Sequence, residues 1–535
     1  MTGAAYEMRF GRIRQVILAG LALMVSPLAF AAACPVVHHN APSAADTAYL
    51  AGDFTKAADL YKAELTANAD QTGSMQGLIH SLLRQQKVIE SADNVQTLIA
   101  SKPASAALLT LRGEVELREG EPWTAATTAV AALKLDPCNP RAIFLYSRLA
   151  ALDSRNITSR KFLNLAHQLD PEDPEIRAAW LETLPAAARI PQLESYLSAP
   201  RGDDAETADN RKAELEDLKK WVSVPQPSCT LVSKGTSAEI PFTEIRSVRG
   251  NSGFDALDIN VNNQRVRLSI DTGYNAHLPI DGFSGLLIQK SAARKMDLKP
   301  VYDNMIPGIG PQGYRNGSIA IADSIMIGDV EYHNCAVQIL DGQYWNDADG
   351  SISMTLFSDF LVSLNFPDHK LKLSKLPDLP ASNAVNGITE RFISPEMKDY
   401  TPIYRSGADL ILPVSINRKY MKLMLIDTAI GFSSLSPEAA HEIGDGRKDP
   451  KYEVRDTNGI PMTLFSAGDA QLTFAGMTQS VNHIITFDTA RFTRDAGTAI
   501  SGLIAEATLK LLTVHIDYRD GLVKMEYGAQ HSNKH

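Results

Sequence analysis

The sequence predicts a multidomain protein, in which an all-α array of helical repeats is followed by an all-β region with two similar halves. Three observations predict this class. Residues 44–199 repeat with a period of 34, the chain beyond them consists of short alternating apolar and polar runs, and an acidic strand end occurs twice, 156 residues apart. The length of 535 residues also exceeds what one hydrophobic core usually supports.

The composition is that of an ordinary globular protein and excludes one large class of partners. Hydrophobic residues make up 44% of the chain and charged residues 21%, with a formal net charge of -10. Proteins that bind nucleic acid usually carry a basic surface, which this balance does not provide. We therefore expect no nucleic-acid partner.

The first residues predict export. Three arginines precede the apolar stretch VILAGLALMV, and the small-residue series LAFAAA follows, so residues 1–33 have the pattern of a secretory signal peptide cleaved after Ala31 or Ala33. An uncleaved anchor is an alternative, and lipid attachment at Cys34 is a weaker one, because Ala31 stands where that signal prefers Leu. No later stretch reaches the roughly 18 apolar residues that cross a bilayer. We expect a periplasmic or secreted protein without a transmembrane span once the signal is cleaved.

The four cysteines fit an oxidising compartment. Four cysteines allow two disulfides and three pairings, and none of them has the spacing of a metal site. We expect Cys34 to pair with Cys138 and Cys229 with Cys335, because each pair then stays within one predicted region. We expect neither a metal nor a cofactor.

The helical region, residues 34–199, repeats three kinds of position in one register. The turn positions are Gly52, Gln86, Gly120 and Ser154; the helix-ending prolines are Pro103, Pro137 and Pro171; the small packing residues are Ala57, Ser91, Ala125 and Ser159. This pattern resembles the tetratricopeptide repeat over about four units. The resemblance implies a concave surface that binds a peptide or protein partner, and the alternative is a spacer or lid.

The pattern changes after the repeats. Residues 200–228 are predicted to form a charged helix and a linker, because the sequence turns polar and then gains prolines. Runs such as FDALDINV and HKLKLSKL, bounded by Gly, Asn and Asp, then predict strands and hairpins. We divide this part into halves at residues 229–380 and 381–528, with a tail at residues 529–535.

Both halves carry an acid at the end of an apolar strand. The first half contains LSIDTG, with Asp271, Thr272 and Gly273, and the second contains LMLIDTA, with Asp427, Thr428 and Ala429. Helices are predicted after each acid, in LLIQKSAARKMDL and in SPEAAHEIG, where Ser436 is the N-cap and Pro437 the first helical residue.

The ends of the two halves are also alike. DGSISMTLFSDFLVSLNFPDHKLKL in the first half and SGLIAEATLKLLTVHIDYRDGLVKM in the second each predict a small-residue turn, a short helix and a terminal hairpin. A third triplet begins at Asp488, but it is too close to the end of its half to leave room for the rest of a lobe. We assign Asp488 to a strand end.

These duplicated motifs resemble the aspartic proteases, and in particular retropepsin-like lobes joined in tandem as in pepsin, over roughly residues 230–528. The resemblance implies that Asp271 and Asp427 share a proton and activate a water molecule, without a metal or a covalent intermediate. It also implies that Thr272 and Thr428 bond across the lobe junction, while Gly273 and Ala429 allow a tight turn. A flap is implied by the apolar tip and glycines of one stretch, with the candidates Ile306, Pro307, Gly308, Ile309, Gly310 and Tyr314.

Four positions depart from the family pattern. Tyr274 and Ile430 follow the triplets where a small residue is usual, and Ser353 and Ala505 replace a glycine before each terminal helix. Since no small hydroxyl then stabilises the ionised acids, the sequence predicts activity at weakly acidic to neutral pH.

The function predicted is that of an exported aspartic endopeptidase, whose repeats bind a substrate or partner protein. Because both lobes lie in one chain, catalysis should not require a homodimer. The alternative is a catalytically inactive peptide-binding scaffold, since the four departures are also compatible with a lost activity.

Overall fold

The structure is a computed structural model. It describes residues 34–224, 227–233, 237–246, 253–274, 285–307, 314–341, 347–443, 453–455 and 461–528. The predicted signal peptide and the tail at residues 529–535 lie outside the described residues. The chain forms two compact units, Met1–Leu218 with Gly497–Ala499, and Lys219–Ala496 with Ile500–His535.

The first unit is helical, as its period predicts. Its helices are α1 Ala44–Leu50, α2 Phe54–Ala67, α3 Thr72–Arg84, α4 Val88–Ser101, α5 Ala106–Arg118, α6 Pro122–Leu135, α7 Pro140–Leu152, α8 Asn156–Leu169, α9 Pro174–Leu181, α10 Ala186–Leu197 and α11 Ala205–Trp221, the last of which runs three residues into the second unit. From α1 to α10, helices that are neighbours in the chain pack against each other, and the predicted fold class is confirmed for this unit.

The predicted turn positions are those where the backbone must adopt a left-handed conformation. Gly52, Gln86, Gly120 and Ser154 have φ of 79°, 60°, 85° and 54°, although only two of them are glycines. A residue with left-handed φ at this repeated position ends the first helix of each pair, and the chain then reverses into the second helix of that pair. The helices α4, α6 and α8 end two residues before the three predicted prolines.

The second unit consists mainly of strands. In the first half they are β1 Thr230–Leu231, β2 Ala238–Arg246, β3 Gly253–Val261, β4 Gln264–Asp271, β5 Leu286–Gln289, β6 Pro300–Pro307, β7 Tyr314–Ile327, β8 Val330–Leu340, β9 Gly350–Ser353, β10 Phe360–Asn365 and β11 Lys370–Lys375. A helix, α12 Lys290–Lys295, follows β5, and a 3₁₀ turn at Met354–Phe357 follows β9.

The second half repeats this plan. Its strands are β12 Ala384–Val385, β13 Ile388–Thr389, β14 Thr401–Pro402, β15 Tyr404–Ser406, β16 Asp409–Ile416, β17 Tyr420–Asp427, β18 Ser434–Leu435, β19 Glu453–Arg455, β20 Pro461–Thr463, β21 Ser466–Phe474, β22 Met477–Thr486, β23 Gly502–Ala505, β24 Leu512–Asp517 and β25 Leu522–Tyr527. Its helices are α13 Pro437–Ile443, α14 Ala490–Ala496 and α15 Glu506–Leu509, and short 3₁₀ turns lie at Ala381–Asn383 and Pro395–Met397.

Two large sheets organise the strands. A 14-stranded sheet runs β14-β25-β24-β10-β11-β2-β3-β4-β9-β5-β8-β7-β6, with β1 paired to β8, and a 7-stranded sheet runs β15-β16-β17-β23-β18-β22-β21. The two terminal hairpins meet because β10 pairs antiparallel with β24, with Val362 opposite Ile516. The predicted β-rich fold is confirmed, and the terminal hairpins of the two halves lie in one continuous sheet.

One predicted helix is wrong at its beginning. In LLIQKSAARKMDL, the first four residues form the strand β5, and only Lys290–Lys295 is helical. All four strand residues are buried between β8 and β9, so sheet pairing overrides the helical pattern of the sequence. The other predicted helix is confirmed: α13 begins at Pro437, and Ser436 Oγ accepts from Ala439 N–H at 3.1 Å.

Both predicted disulfides are present, Cys34–Cys138 and Cys229–Cys335. They leave no cysteine of the chain free. Across the described ranges, no helix combines the length and the apolar character needed to cross a membrane.

Candidate active site

The two predicted acids end equivalent strands. Asp271 is the last residue of β4 and Asp427 the last residue of β17. Each strand pairs in parallel with a short strand of its own half, which places Asp271 opposite Ser353 and Asp427 opposite Ala505. Each acid therefore lies at the end of a paired strand, at the equivalent position of its half.

Two threonines join the halves directly behind the acids. Thr272 N–H donates to Thr428 Oγ1 at 3.0 Å, and Thr428 N–H donates to Thr272 Oγ1 at 3.1 Å. Each hydroxyl then donates to a main-chain carbonyl of the other half, Thr272 to Ile426 at 3.0 Å and Thr428 to Ile270 at 2.9 Å. Since both side chains are buried, the four bonds fix the two strand ends relative to each other. We call this set of bonds the threonine interlock.

The carboxylates receive main-chain donors from the turns that follow them. Gly273 N–H donates to Asp271 Oδ1 at 3.1 Å, and Ala429 N–H donates to Asp427 Oδ1 at 2.9 Å. The N–H of Tyr274 is a further donor to Asp271. Donors of this kind stabilise an ionised carboxylate where few other polar groups reach it.

Gly273 is required for a different reason from the one that the sequence predicts. Its φ is not in the left-handed region, so the turn itself does not demand glycine. A Cβ at Gly273 would instead lie 2.7 Å from both Cγ and Oδ2 of Asp427. The carboxyl group of one half therefore lies against the backbone of the turn that bears the other acid.

Burial dominates the electrostatics of the pair. It raises the pKa of Asp271 well above the ordinary value, and the nearby charge of Asp427 raises it further, whereas the main-chain donors lower it. Burial raises the pKa of Asp427 to about 6, and its bond from Ala429 N–H opposes this. Both carboxyls therefore hold a proton more readily than an exposed acid would.

The four departures from the family pattern have definite places. Ser353 is fully buried, and its hydroxyl is 2.8 Å from that of Thr355. Ala505 N–H donates to Ser433 Oγ at 2.9 Å. Tyr274 is buried, and its hydroxyl bonds to the side-chain oxygen of Gln338 rather than to either acid.

Ile430, the fourth departure, is held by a hydrogen bond to its main chain. Its carbonyl accepts from Glu506 N–H at 3.0 Å, and Ser433 of the same loop is 2.6 Å from the hydroxyl of Thr508. The segment after Asp427 is thus bonded to the residues that follow β23. Sequence reasoning missed the contributions of Ser433, Gln338 and Glu506, because nothing in their local pattern distinguishes them from ordinary polar residues.

The flap candidates are only partly described. β6 and β7 form an antiparallel hairpin in which Pro307 is opposite Tyr314, and Ile306 is buried near the end of β6. Gly308, Ile309 and Gly310 lie outside the described residues, as does the side chain of Tyr314. The second half has the short hairpin β19–β20 around residues 456–460, which also lie outside them.

The third triplet is separate from this site. Asp488 is exposed and lies two residues beyond β22, and its Oδ1 accepts from Ala490 N–H at 2.9 Å, at the start of α14. Its carboxylate therefore accepts a main-chain hydrogen bond at the N-terminus of α14. Among the residues that the structure describes, no three or more His, Cys, Asp or Glu side chains form a group suited to a metal ion.

Comparison with protein-family models and with curated proteins returns no match. Solved structures with some likeness include a thermophilic TPR protein from Thermus thermophilus, at 17% identity and a TM-score of 0.26, over 33% of this chain and 95% of that one. A retropepsin-like aspartic protease from Rickettsia conorii matches at 18% identity and a TM-score of 0.16, over 28% and 95%. An aspartic proteinase from Irpex lacteus matches at 11% identity and a TM-score of 0.32, over 55% and 98%. All three TM-scores are low, so the chemistry has to be inferred from the geometry of the site.

Proposed function

We propose that this chain is an exported aspartic endopeptidase in which Asp271 and Asp427 hydrolyse peptide bonds. The observation that carries the proposal is the threonine interlock, which holds two strand-terminal acids at one junction. In this mechanism the ionised acid takes a proton from a water molecule whose oxygen attacks the scissile carbonyl carbon, while the protonated acid donates to the carbonyl oxygen. The resulting diol returns one proton to the deprotonated acid, the other acid protonates the leaving nitrogen, and the C–N bond breaks. The raised pKa of both carboxyls supports this division of roles, because the pair retains a proton above the ordinary range of an aspartic acid.

Export and the role of the repeats belong to the same proposal. The two disulfides support a periplasmic or secreted location, because such bonds persist in oxidising compartments. The helical repeats support binding of a substrate or partner protein, since stacked helical hairpins present an extended surface. One chain supplies both acids, which supports catalysis without a homodimer.

A second candidate function is peptide binding without hydrolysis. The observation that favours it is the bulky, buried Tyr274 directly after the first triplet, together with Ser353 and Ala505 in place of glycine. In that case the two halves would grip a peptide, and the acids would serve only as hydrogen-bonding groups.

The variant Asp427→Asn separates the two functions, since it removes one ionisable group while keeping the shape of the side chain. We expect cleavage of an unfolded protein substrate by the full chain to fall by at least about 10³-fold. The matched control is Asp488→Asn, which changes the exposed acid of the third triplet and should leave cleavage unchanged.

Two results would contradict this proposal. If Asp427→Asn cleaves the substrate as fast as the wild type does, the acid pair does not carry out the hydrolysis. Peptide binding by the wild type and by this variant alike, with no cleavage by either, would favour the binding protein.

Activity that stays proportional to enzyme concentration on dilution would support catalysis by a single chain.

A further inference from the structure

Tyr274 contacts both the first acid and the β6–β7 hairpin of the first half. Its N–H is a donor to the carboxylate of Asp271, so the position of its backbone affects the acid directly. Its ring belongs to a small buried cluster with Leu287, Ile306 and Leu340, which is separate from the main core of the unit. One residue thus contacts the acid through its main chain and the β6–β7 hairpin through its side chain.

The hydroxyl of Tyr274 is anchored in the middle of the sheet. It bonds to Oε1 of Gln338, which is fully buried on β8. Gln338 lies opposite Leu287 of β5 on one side and Ile319 of β7 on the other, so its backbone is held by strands on both sides. Its Nε2 is buried without a hydrogen-bond partner among the described residues. The hydroxyl of Tyr274 therefore satisfies the oxygen of this buried amide.

The β6–β7 hairpin is also closely packed where it contacts this cluster. Ile306 is near the end of β6 and is 1% exposed. A Cβ at Gly317 of β7 would lie 2.3 Å from Ile306 Cδ1, so the absence of a side chain there lets Ile306 lie across the neighbouring strand. Close packing of this kind transmits displacements, because a buried ring cannot move without its neighbours.

We propose that Tyr274 is a positioning residue that couples the β6–β7 hairpin to the carboxylate of Asp271. The ring packs with Ile306 of β6, and the Tyr274–Gln338 bond holds the residue whose N–H donates to Asp271. This inference rests on the proposed function. It assigns a role to a residue at which the chain departs from the family pattern.

The test compares Tyr274→Phe with Tyr332→Phe. Both variants remove only a hydroxyl from a buried tyrosine of the first half, but the Tyr332 hydroxyl on β8 has no hydrogen-bond partner among the described residues. For Tyr274→Phe we expect kcat to fall about tenfold and the pH profile of kcat/KM to shift, whereas Tyr332→Phe keeps both. A purely structural role for Tyr274 would lower stability without moving the pH profile.

Two further measurements keep the result decisive. The double variant Tyr274→Phe, Gln338→Leu removes both bonding partners and should leave the pH profile as altered as in Tyr274→Phe. Hydrogen exchange of residues 300–307 should be faster in Tyr274→Phe than in Tyr332→Phe, and this readout does not depend on activity. Wild-type kcat, pH profile and exchange in Tyr274→Phe would overturn the proposal, even if Asp427→Asn is inactive. Unchanged cleavage by Asp427→Asn would overturn the proposed function instead.

Discussion

Thr272 and Thr428 each accept a hydrogen bond from the main-chain N–H of the other, at 3.0 and 3.1 Å. The relationship is reciprocal, and each hydroxyl completes it by donating to a carbonyl of the opposite half. Because all these groups are buried, none of them can turn to water if a partner is lost. Next to the two acids, the halves are therefore held together by two side chains of one residue type.

Replacing Thr272 by Val keeps the shape of the side chain but removes its hydroxyl. Thr428 N–H and the carbonyl of Ile426 then remain buried without that partner, and we expect the free energy of unfolding to fall by roughly 2–4 kcal/mol. Chemical denaturation measures this loss. Thr272→Ser keeps the hydroxyl and should lose less, while Thr473→Val, which breaks an exposed threonine pair, should have little effect. Equal stability of the Val and Ser variants would contradict the role given to the interlock.

Gly273→Ala should reduce activity more than stability. The added methyl would lie 2.7 Å from the Asp427 carboxyl, so this acid would have to move away from the junction. A displacement of about 1 Å at a reacting group can cost about 10²-fold in rate, and steady-state kinetics would measure it.

The matched control for this variant is Gly73→Ala in α3, where an added Cβ meets nothing within 4 Å. It is the same substitution in the helical unit, and we expect activity to be retained. Wild-type kcat in Gly273→Ala would show that the two turns are not packed as closely as the structure indicates.

The pH dependence of cleavage follows from the burial of the acids. Hydrolysis requires one ionised and one protonated carboxyl, and burial raises the pKa of Asp427 to about 6. Below that pH both acids become protonated and no general base remains, so kcat/KM should rise with pH through the weakly acidic range. Peptide cleavage measured across pH in buffers of constant ionic strength tests this. An optimum near pH 3, as expected for acids with about the ordinary pKa or lower, would contradict it.

Glu506→Gln should stabilise the protein at neutral and higher pH. Glu506 is 2% exposed, and burial raises its pKa from 4.5 to about 8, although Lys510 at 3.7 Å lowers it. A carboxyl with a raised pKa in the folded state binds more protons there than in the unfolded state. Its destabilising effect is therefore absent below about pH 4.5, grows as the pH rises, and is complete above about pH 8.

Thermal or chemical unfolding at several pH values measures this effect. At about pH 8 the variant should gain on the order of 3 kcal/mol over the wild type, and near pH 4 the two should be alike. Glu396→Gln changes an exposed glutamate and should give no such trend. A constant difference between Glu506→Gln and wild type at all pH values would show that its effect is not ionisation.

The helical repeats could be predicted because their signals are local. A left-handed turn position and a proline beyond a helix end act within a few residues, so Gln86 and Ser154 reveal the repeat even without a glycine. The strand β5 could not be predicted in the same way. LLIQ reads as the start of a helix, and only pairing with β8 and β9 makes it a strand.

The candidate site shows the same division. Asp271 and Asp427 stand out in the sequence because an acid ends a run of apolar residues in both halves. Gln338 and Ser433 have no such signal, since each is one polar residue among many and becomes important only through a partner far along the chain. Contacts between distant residues leave no periodic trace in the sequence.

By itself, the sequence determined the repeat period, the order of an all-α and an all-β part, and the identity of the two strand-ending acids, because chain-local preferences and duplication are written in residue order. Only the tertiary structure decided that Gly273 makes room for the Asp427 carboxyl and that Tyr274 bonds to Gln338. The reason is physical: burial, close approach and mutual electrostatics depend on distances through space, which the order of residues does not specify.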